Sequence, residues 1–162
     1  IATTPRVLNV AQILVANAKN VTIEGARAEN GEGIGLLLAN PGNVTIQNAS
    51  LLNNTGDGVI VTESEPGASG TVIIRDSTSS GNGGDGFSLP LRGVLVVHRL
   101  RADDNGGFGI AISGARKLTL ADNPFSANTH AGIAIDGVMQ GAPVTATTVR
   151  GSIVAMSLWH TP

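Results

Sequence analysis

The amino-acid sequence predicts an all-β solenoid of about six coils, in which each short strand pairs in parallel with its copy one coil away. Three observations lead to this fold class, and the first two are a repeat that recurs along most of the chain and alternations of apolar residues that last only a few positions. The third is that no segment between these runs could be the crossover helix that an ordinary parallel sheet requires. Strands stacked about 4.8 Å apart, one per coil, avoid that requirement.

Each coil begins with an apolar triplet of the "VTI" kind, which predicts its first strand. The starts are Val21, Val44, Val72, Leu95, Leu118 and, more weakly, Val144. Three of the five intervals are 23 residues, and the other two contain insertions at 62–70 and 136–143. The spacing therefore predicts five regular coils over 21–143, followed by a last coil and tail over 144–162.

Two further strands complete each coil, and apolar side chains that alternate along them predict a buried face. In the second coil the side chains expected to point inward are Val44, Ile46, Leu51, Val59 and Val61. Their equivalents in the other coils would stack into aliphatic rows. Phe87 and Phe125 are also expected inside.

Two polar or small positions recur with the coils. Fourteen residues after each of the first five starts stands a glycine, and ten residues after it stands an asparagine in four of these coils and Gly31 in the first. The glycines are Gly35, Gly58, Gly86, Gly109 and Gly132, and the asparagines are Asn54, Asn82, Asn105 and Asn128. We expect the asparagines to form a ladder at an inward corner and the glycines to supply a backbone conformation that a Cβ disfavours.

The repeat extends to the beginning of the sequence, so the chain is expected to be a single domain over 1–162. Aligning 13–23 with 36–46 places Gln12 in the glycine column, which makes 1–20 a partial coil or a cap. Two alternatives stay open: an irregular N-terminal cap, or a fragment of a longer solenoid that continues or stacks on another chain.

The unit "NVTIQNASLLNNTGDGVIV" at 43–61 resembles the repeat of right-handed parallel β-helix proteins of the pectate-lyase-like superfamily. The resemblance covers about residues 13–158 and implies this fold. It leaves function open, because the scaffold hosts lyases, hydrolases, epimerases, tailspikes and adhesins. We expect a secreted, periplasmic or cell-surface location.

The composition of the chain limits the kinds of partner that it is expected to bind. A net charge of -2 leaves no basic surface for nucleic acid, and no apolar run is long enough to span a bilayer. The absence of cysteine excludes disulfides and thiolate metal sites. Leu37, Ile60, Ile73 and Val96 are apolar at outward positions, which predicts self-association or packing against another chain or domain.

One candidate site follows the outward end of the first strand, where the superfamily's groove is expected. The fourth positions of this strand are Glu24, Gln47, Arg75, His98 and Ala121. Arg75 could neutralise a uronate or act as a base, and His98 could exchange a proton, with Glu24 as a third catalytic group. Gln47, Asp76 and Arg99 would bind substrate. The alternative is that all are solvated polar positions on the outside of a sheet.

A second candidate is the pair of "GDG" aspartates, Asp57 and Asp85, in adjacent coils. Stacked carboxylates could share a calcium ion, although Asp beside Gly is also ordinary turn chemistry, which we favour. No other cofactor is expected. Asp103 and Asp104 are interpreted as a solvated turn.

Three function classes remain. The favoured one is a non-catalytic structural or carbohydrate-binding module of an exported or surface protein; the others are a lyase, hydrolase or epimerase of acidic polysaccharide, or a fragment of one, and an assembly subunit. Active-site motifs like those of pectate lyases and polygalacturonases are absent, and three Phe and one Trp leave few rings to stack on sugars. Whether the chain is an enzyme is left open.

Overall fold

The computed structural model describes residues 10–63 and 70–137, and beyond them the strands at 144–145, 148–150 and 153–157. The expectations for the N-terminal cap, the centres of both insertions and the tail fall on residues 1–9, 64–69, 138–143 and 158–162, outside the described residues. Within the described ranges the regular secondary structure is β throughout.

Each coil contributes three strands, and the first of them builds a parallel six-stranded sheet. Its strands, in chain order, are β2 (Val21–Glu24), β5 (Val44–Gln47), β8 (Thr71–Arg75), β11 (Val94–His98), β14 (Lys117–Ala121) and β17 (Val144–Thr145). The predicted coil starts therefore pair with one another, and the insertion between the second and third coils leaves the register intact.

The second strands are the shortest and form two three-stranded sheets. These are β3 (Arg27–Glu29), β6 (Ser50–Leu52) and β9 (Thr78–Ser80), and then β12 (Ala102–Asp103), β15 (Pro124–Ser126) and β18 (Thr148–Arg150). A single bridge between Thr78 and Arg101 connects the two groups.

The third strands form a seven-stranded parallel sheet. They are β1 (Ala11–Ala16), β4 (Ile34–Ala39), β7 (Val59–Thr62), β10 (Phe87–Pro90), β13 (Ile110–Ser113), β16 (Ala131–Asp136) and β19 (Ile153–Ser157). From β1 the chain makes about five turns to β16, and β19 continues the stack. The predicted parallel solenoid is confirmed.

The interior consists of the predicted aliphatic rows. In the second coil all five side chains expected to point inward are buried. Phe87 and Phe125 are buried as well. Because each row repeats the same side chains about 4.8 Å apart, burial of apolar surface at about 25 cal/mol per Å² accumulates with every coil added.

The asparagine ladder is also present. Asn82 Oδ1 accepts hydrogen bonds from both the backbone N and Nδ2 of Asn54, each at 3.0 Å, while Asn82 Nδ2 donates to the carbonyl of Leu51 at 3.1 Å. Asn105 and Asn128 repeat this arrangement in the next coils. Each amide therefore satisfies backbone groups that the corner leaves without a strand partner.

Gln12 completes the ladder where the first coil has Gly31 instead of asparagine. Its Nε2 donates to Asn54 Oδ1 at 2.7 Å, the role that an asparagine at position 31 would otherwise play. A Cβ on Gly31 would lie 1.9 Å from Gln12 Nε2, so the amide fills the space above that glycine. The alignment placed Gln12 in the glycine column, but its role in the ladder was not predicted.

The glycine column is needed for a different reason from the one expected. None of its members has φ in the left-handed region. Instead, a Cβ on Gly35 would lie 2.7 Å from the carbonyl oxygen of Gly58, and one on Gly58 equally close to that of Gly86. The column is therefore required by close packing of successive coils, and the prediction of an unusual backbone conformation was wrong.

Candidate functional site

The polar residues at the ends of the six-stranded sheet lie side by side, as the repeat predicts. Glu24 pairs with Gln47, Gln47 with Arg75, and Arg75 with His98. We call these four residues the polar file. Because one coil rises about 4.8 Å, Glu24 lies about 14 Å from His98 along the solenoid and cannot act on the same atom.

The residue after each of these strands turns the chain through a left-handed corner. Asp76 has φ 53° and Arg99 has φ 51°, and Asn48 and Asp122 take the same conformation in their coils. Asn and Asp tolerate this region, whereas arginine seldom occupies it, at a cost of about 1–2 kcal/mol. Asp76 and Arg99 were predicted to bind substrate. Their structural role is to turn the chain at these corners.

The two corner residues form a bidentate ion pair. Arg99 Nε donates to Asp76 Oδ1 at 2.5 Å and Nη2 donates to Oδ2 at 2.8 Å. These hydrogen bonds lower the pKa of Asp76 below its ordinary value. Arg75 lies 3.6 Å from the same carboxylate and donates to Gln47 Oε1, so the network extends into the polar file.

His98 is engaged at both ring nitrogens. Nδ1 lies 2.6 Å from Arg99 Nη1, and because a guanidinium can only donate, Nδ1 is the acceptor. The proton of the neutral ring is then on Nε2, which lies 2.7 Å from Asp122 Oδ2. Both ring nitrogens of His98 are thus hydrogen-bonded within the network.

The network therefore runs along the edge of the sheet from Gln47 to Asp122, and each charged group in it contacts a charged or hydrogen-bonding neighbour. It does not converge on one cleft among the described residues. The catalytic roles of Arg75, His98 and Glu24 stay predictions, as do the substrate-binding roles of Gln47, Asp76 and Arg99.

Asp57 and Asp85 use their carboxylates to hold the turn of the following coil. Asp57 Oδ1 accepts the backbone N–H of Asp85 at 2.7 Å, and Asp85 Oδ1 accepts that of Phe108 at 2.8 Å. Each aspartate thus satisfies an amide one coil further on. This is the turn role that we favoured, and calcium binding here stays a prediction; within the described residues, no group of three or more His, Cys, Asp or Glu side chains could hold a metal.

Both turn carboxylates are easier to protonate than usual. Burial raises the pKa of Asp57 and that of Asp85 above 3.8, and the charge of Asp85 raises the pKa of Asp57 further. The accepted backbone hydrogen bonds oppose these shifts without reversing them. His130 lowers the pKa of Asp85 in part.

The turn aspartates also explain a glycine position that was not singled out. A Cβ on Gly84 would lie 1.9 Å from Asp57 Oδ1, and one on Gly107 would lie 2.2 Å from Asp85 Oδ1. Phe108 stands where the two preceding coils have an aspartate. In the next coil the glycine position is occupied by His130, whose ring packs edge-on against that of Phe108, with the ring centroids 5.3 Å apart. An aspartate and the glycine one coil later therefore form a coupled pair.

Asp103 was interpreted as a solvated turn residue, and this was wrong. Asp103 is buried, with only 6% of its surface exposed. It accepts a hydrogen bond from Ser126 Oγ at 2.6 Å and forms an ion pair with Arg101. Asp103 belongs to a strand of a three-stranded sheet, so its burial depends on which residues lie in the neighbouring coils. Asp104, the next residue, is exposed as expected.

Comparison with known proteins supports the fold. A family model described as a right-handed beta helix region matches residues 11–154. Searches among curated proteins and solved structures found no match. No helix that could cross a membrane is present among the described residues. The match spans every sheet described above, and the chain belongs to the right-handed β-helix family.

Proposed function

We propose that the chain is a non-catalytic structural module of an exported or surface protein, and that its polar file and corner residues form a carbohydrate-binding edge. The observation that carries this proposal is the paired network itself. Its charged side chains stabilise one another along the edge, which suits a fixed binding surface better than a reactive centre.

The chemistry of the edge favours an acidic polysaccharide. The side chains of Arg75 and Arg99 are 45% and 49% exposed, so each guanidinium retains donors that face solvent. Guanidinium groups bind carboxylate oxygens through charge-assisted hydrogen bonds. A polymer lying along the solenoid axis would meet both residues in consecutive coils.

Binding of polygalacturonate and alginate by calorimetry and affinity electrophoresis tests this proposal. We expect Arg75→Gln/Arg99→Gln to weaken binding about tenfold or more, because two charge-assisted contacts are lost. Arg27→Gln is the matched control, since Arg27 is 77% exposed on a different sheet. No binding by the unaltered chain, or equal binding by the double variant, would overturn the carbohydrate-binding edge.

The enzymatic alternative is separated by an activity assay. Incubation with the same polymers, with and without calcium, is expected to release no unsaturated uronate. Release that depends on Arg75 would instead make the edge a lyase site.

A second candidate function, an assembly subunit, is favoured by one observation. Leu14 is 62% exposed on the outer face of the seven-stranded sheet and stacks in register with Leu37, which in turn stacks with Ile60. Three apolar side chains in one row are a surface that association would cover.

A further inference from the structure

A groove lies at the edge of the seven-stranded sheet where its strands end and the chain turns towards the six-stranded sheet. We call it the turn groove. Its volume is about 570 Å³, within the range of about 300–1,000 Å³ typical of small-molecule sites. Two residues from each of four consecutive coils line it: Thr62, Glu63, Pro90, Arg92, Ser113, Gly114, Asp136 and Gly137.

The groove is elongated along the solenoid axis. Pro90, Ser113 and Asp136 are register partners in β10, β13 and β16, and Thr62 ends β7 in the coil before them. Four coils at about 4.8 Å give a length of about 14 Å between the outer pair of residues. No residue of the polar file or its corners lines this groove.

The lengths of the connections set the position of the groove. Three residues connect β10 to β11 and three connect β13 to β14, whereas the connections after β7 and β16 contain the two insertions. The groove lies over the two short connections. Glu63 and Gly137, the first residues of the two long connections, lie at its ends.

Glu63 has an unused hydrogen-bonding atom at one end of the groove. Its Oε2 accepts the backbone N–H of Arg92 at 3.1 Å. Its Oε1 is buried and has no hydrogen-bond partner among the described residues. A buried carboxylate oxygen without a donor is unfavourable, so a ligand N–H or O–H that drew the Glu63 side chain towards the groove would remove that cost.

The other polar groups set the kind of ligand. Asp136 places a second, exposed carboxylate at the far end, and Arg92, which is exposed and belongs to a coil between those of the two acids, adds a guanidinium to the lining. Thr62 and Ser113 add hydroxyls. The complementary molecule carries cationic donors towards both ends and oxygen acceptors opposite the guanidinium, with hydroxyls along its length.

We propose that the turn groove binds a short amino-sugar oligosaccharide, with protonated amines against Glu63 and Asp136 and sugar oxygens against Arg92. A linear polyamine offers the same cations but places no acceptor opposite Arg92, so the structure favours the sugar. This site is separate from the carbohydrate-binding edge and does not depend on it.

The test is calorimetric titration with glucosamine trimer at pH 6. Glu63→Gln and Asp136→Asn are each expected to weaken binding about tenfold or more, because each removes a charge-assisted contact while keeping the shape of the side chain. Asp104→Asn, an exposed substitution in another part of the coil, is expected to leave the affinity unchanged. Thermal unfolding of each variant checks that it folds.

Spermidine is the comparison ligand. Binding of glucosamine trimer that is lost in both groove variants, with weaker binding of spermidine, supports the proposal. Absence of binding at millimolar trimer, unchanged binding by the folded Glu63→Gln and Asp136→Asn variants, or equal affinity for spermidine would overturn it. Failure of polygalacturonate to bind would leave this result unaffected, because that polymer probes the other edge.

Discussion

At the scale of single residues, the corners of the solenoid show where backbone conformation limits the choice of side chain. A second left-handed position recurs nine residues after each coil start. It is occupied by Asn30, Asn53, Gly81, Asp104 and Ala127. Four of these five residues are of types that tolerate the conformation, whereas Ala127, with φ 53°, carries the Cβ penalty without a polar group to offset it.

Ala127→Gly is therefore expected to raise the free energy of unfolding by about 1 kcal/mol. The relief of left-handed strain, about 1–2 kcal/mol, exceeds the extra entropy that glycine loses on folding. The side chain is exposed, so little packing is lost. Urea unfolding at neutral pH measures the change.

The matched control is Ala134→Gly in β16, where φ is not positive. There glycine should lower the free energy of unfolding by about 0.5–1 kcal/mol, because it loses more conformational entropy on folding and relieves no backbone strain. Destabilisation at both positions would contradict the strain argument.

At the scale of elements, the turns before the seven-stranded sheet are joined from coil to coil by Asp57 and Asp85. Both carboxylates have a pKa raised by burial, so the folded state binds protons more tightly than the unfolded state. Their contribution to stability therefore falls as pH rises from about 3.8 through the raised pKa. Ionising these two carboxylates in the folded state therefore costs stability.

Asp57→Asn/Asp85→Asn is expected to raise stability at pH 7 and to flatten its dependence on pH above about 4. Each asparagine keeps the oxygen that accepts the next coil's amide and removes the charge. Urea unfolding midpoints between pH 4 and pH 7 measure the effect.

Asp104→Asn, at an exposed corner, controls for net charge. A double variant that is less stable than the unaltered chain at pH 7 would show that the ionised carboxylates are favourable. If that loss occurred only in calcium-containing buffer, it would support the metal site that the sequence left open.

At the scale of the whole molecule, the outer face of the seven-stranded sheet changes along its length. Its outward row begins with Leu14, Leu37 and Ile60 and continues with Ser88 and Ala111. The large apolar side chains are thus confined to the first coils. An association surface, if the chain assembles, is expected there and not around Ala111.

Leu14→Lys/Leu37→Lys is expected to raise the dissociation constant for self-association about tenfold or more, because two apolar side chains worth about 1.5–3 kcal/mol each would no longer be buried. Sedimentation velocity over a range of concentrations measures it. Ala111→Lys, in the same row, is the control. A monomer at all concentrations of the unaltered chain would exclude the assembly subunit.

Much of the fold could be predicted from the sequence, because a pattern found in one coil could be checked against the other coils. The strand positions, the buried rows and the ladder from Asn54 to Asn128 follow from residues that recur at fixed spacing. The polar file was predicted for the same reason, since strands in register place equivalent residues side by side.

What the sequence by itself determined is therefore the set of repeated strands, the buried rows and the asparagines of the ladder. The tertiary structure decided what depends on neighbours in other coils: Gln12 as the last amide of the ladder, the space that Gly84 leaves for Asp57, the burial of Asp103, and the turn groove around Glu63. These features arise from contacts between coils that join residues more than twenty positions apart, each of which occurs once or twice. A contact that does not recur leaves no periodic pattern, so only the packed coils reveal it.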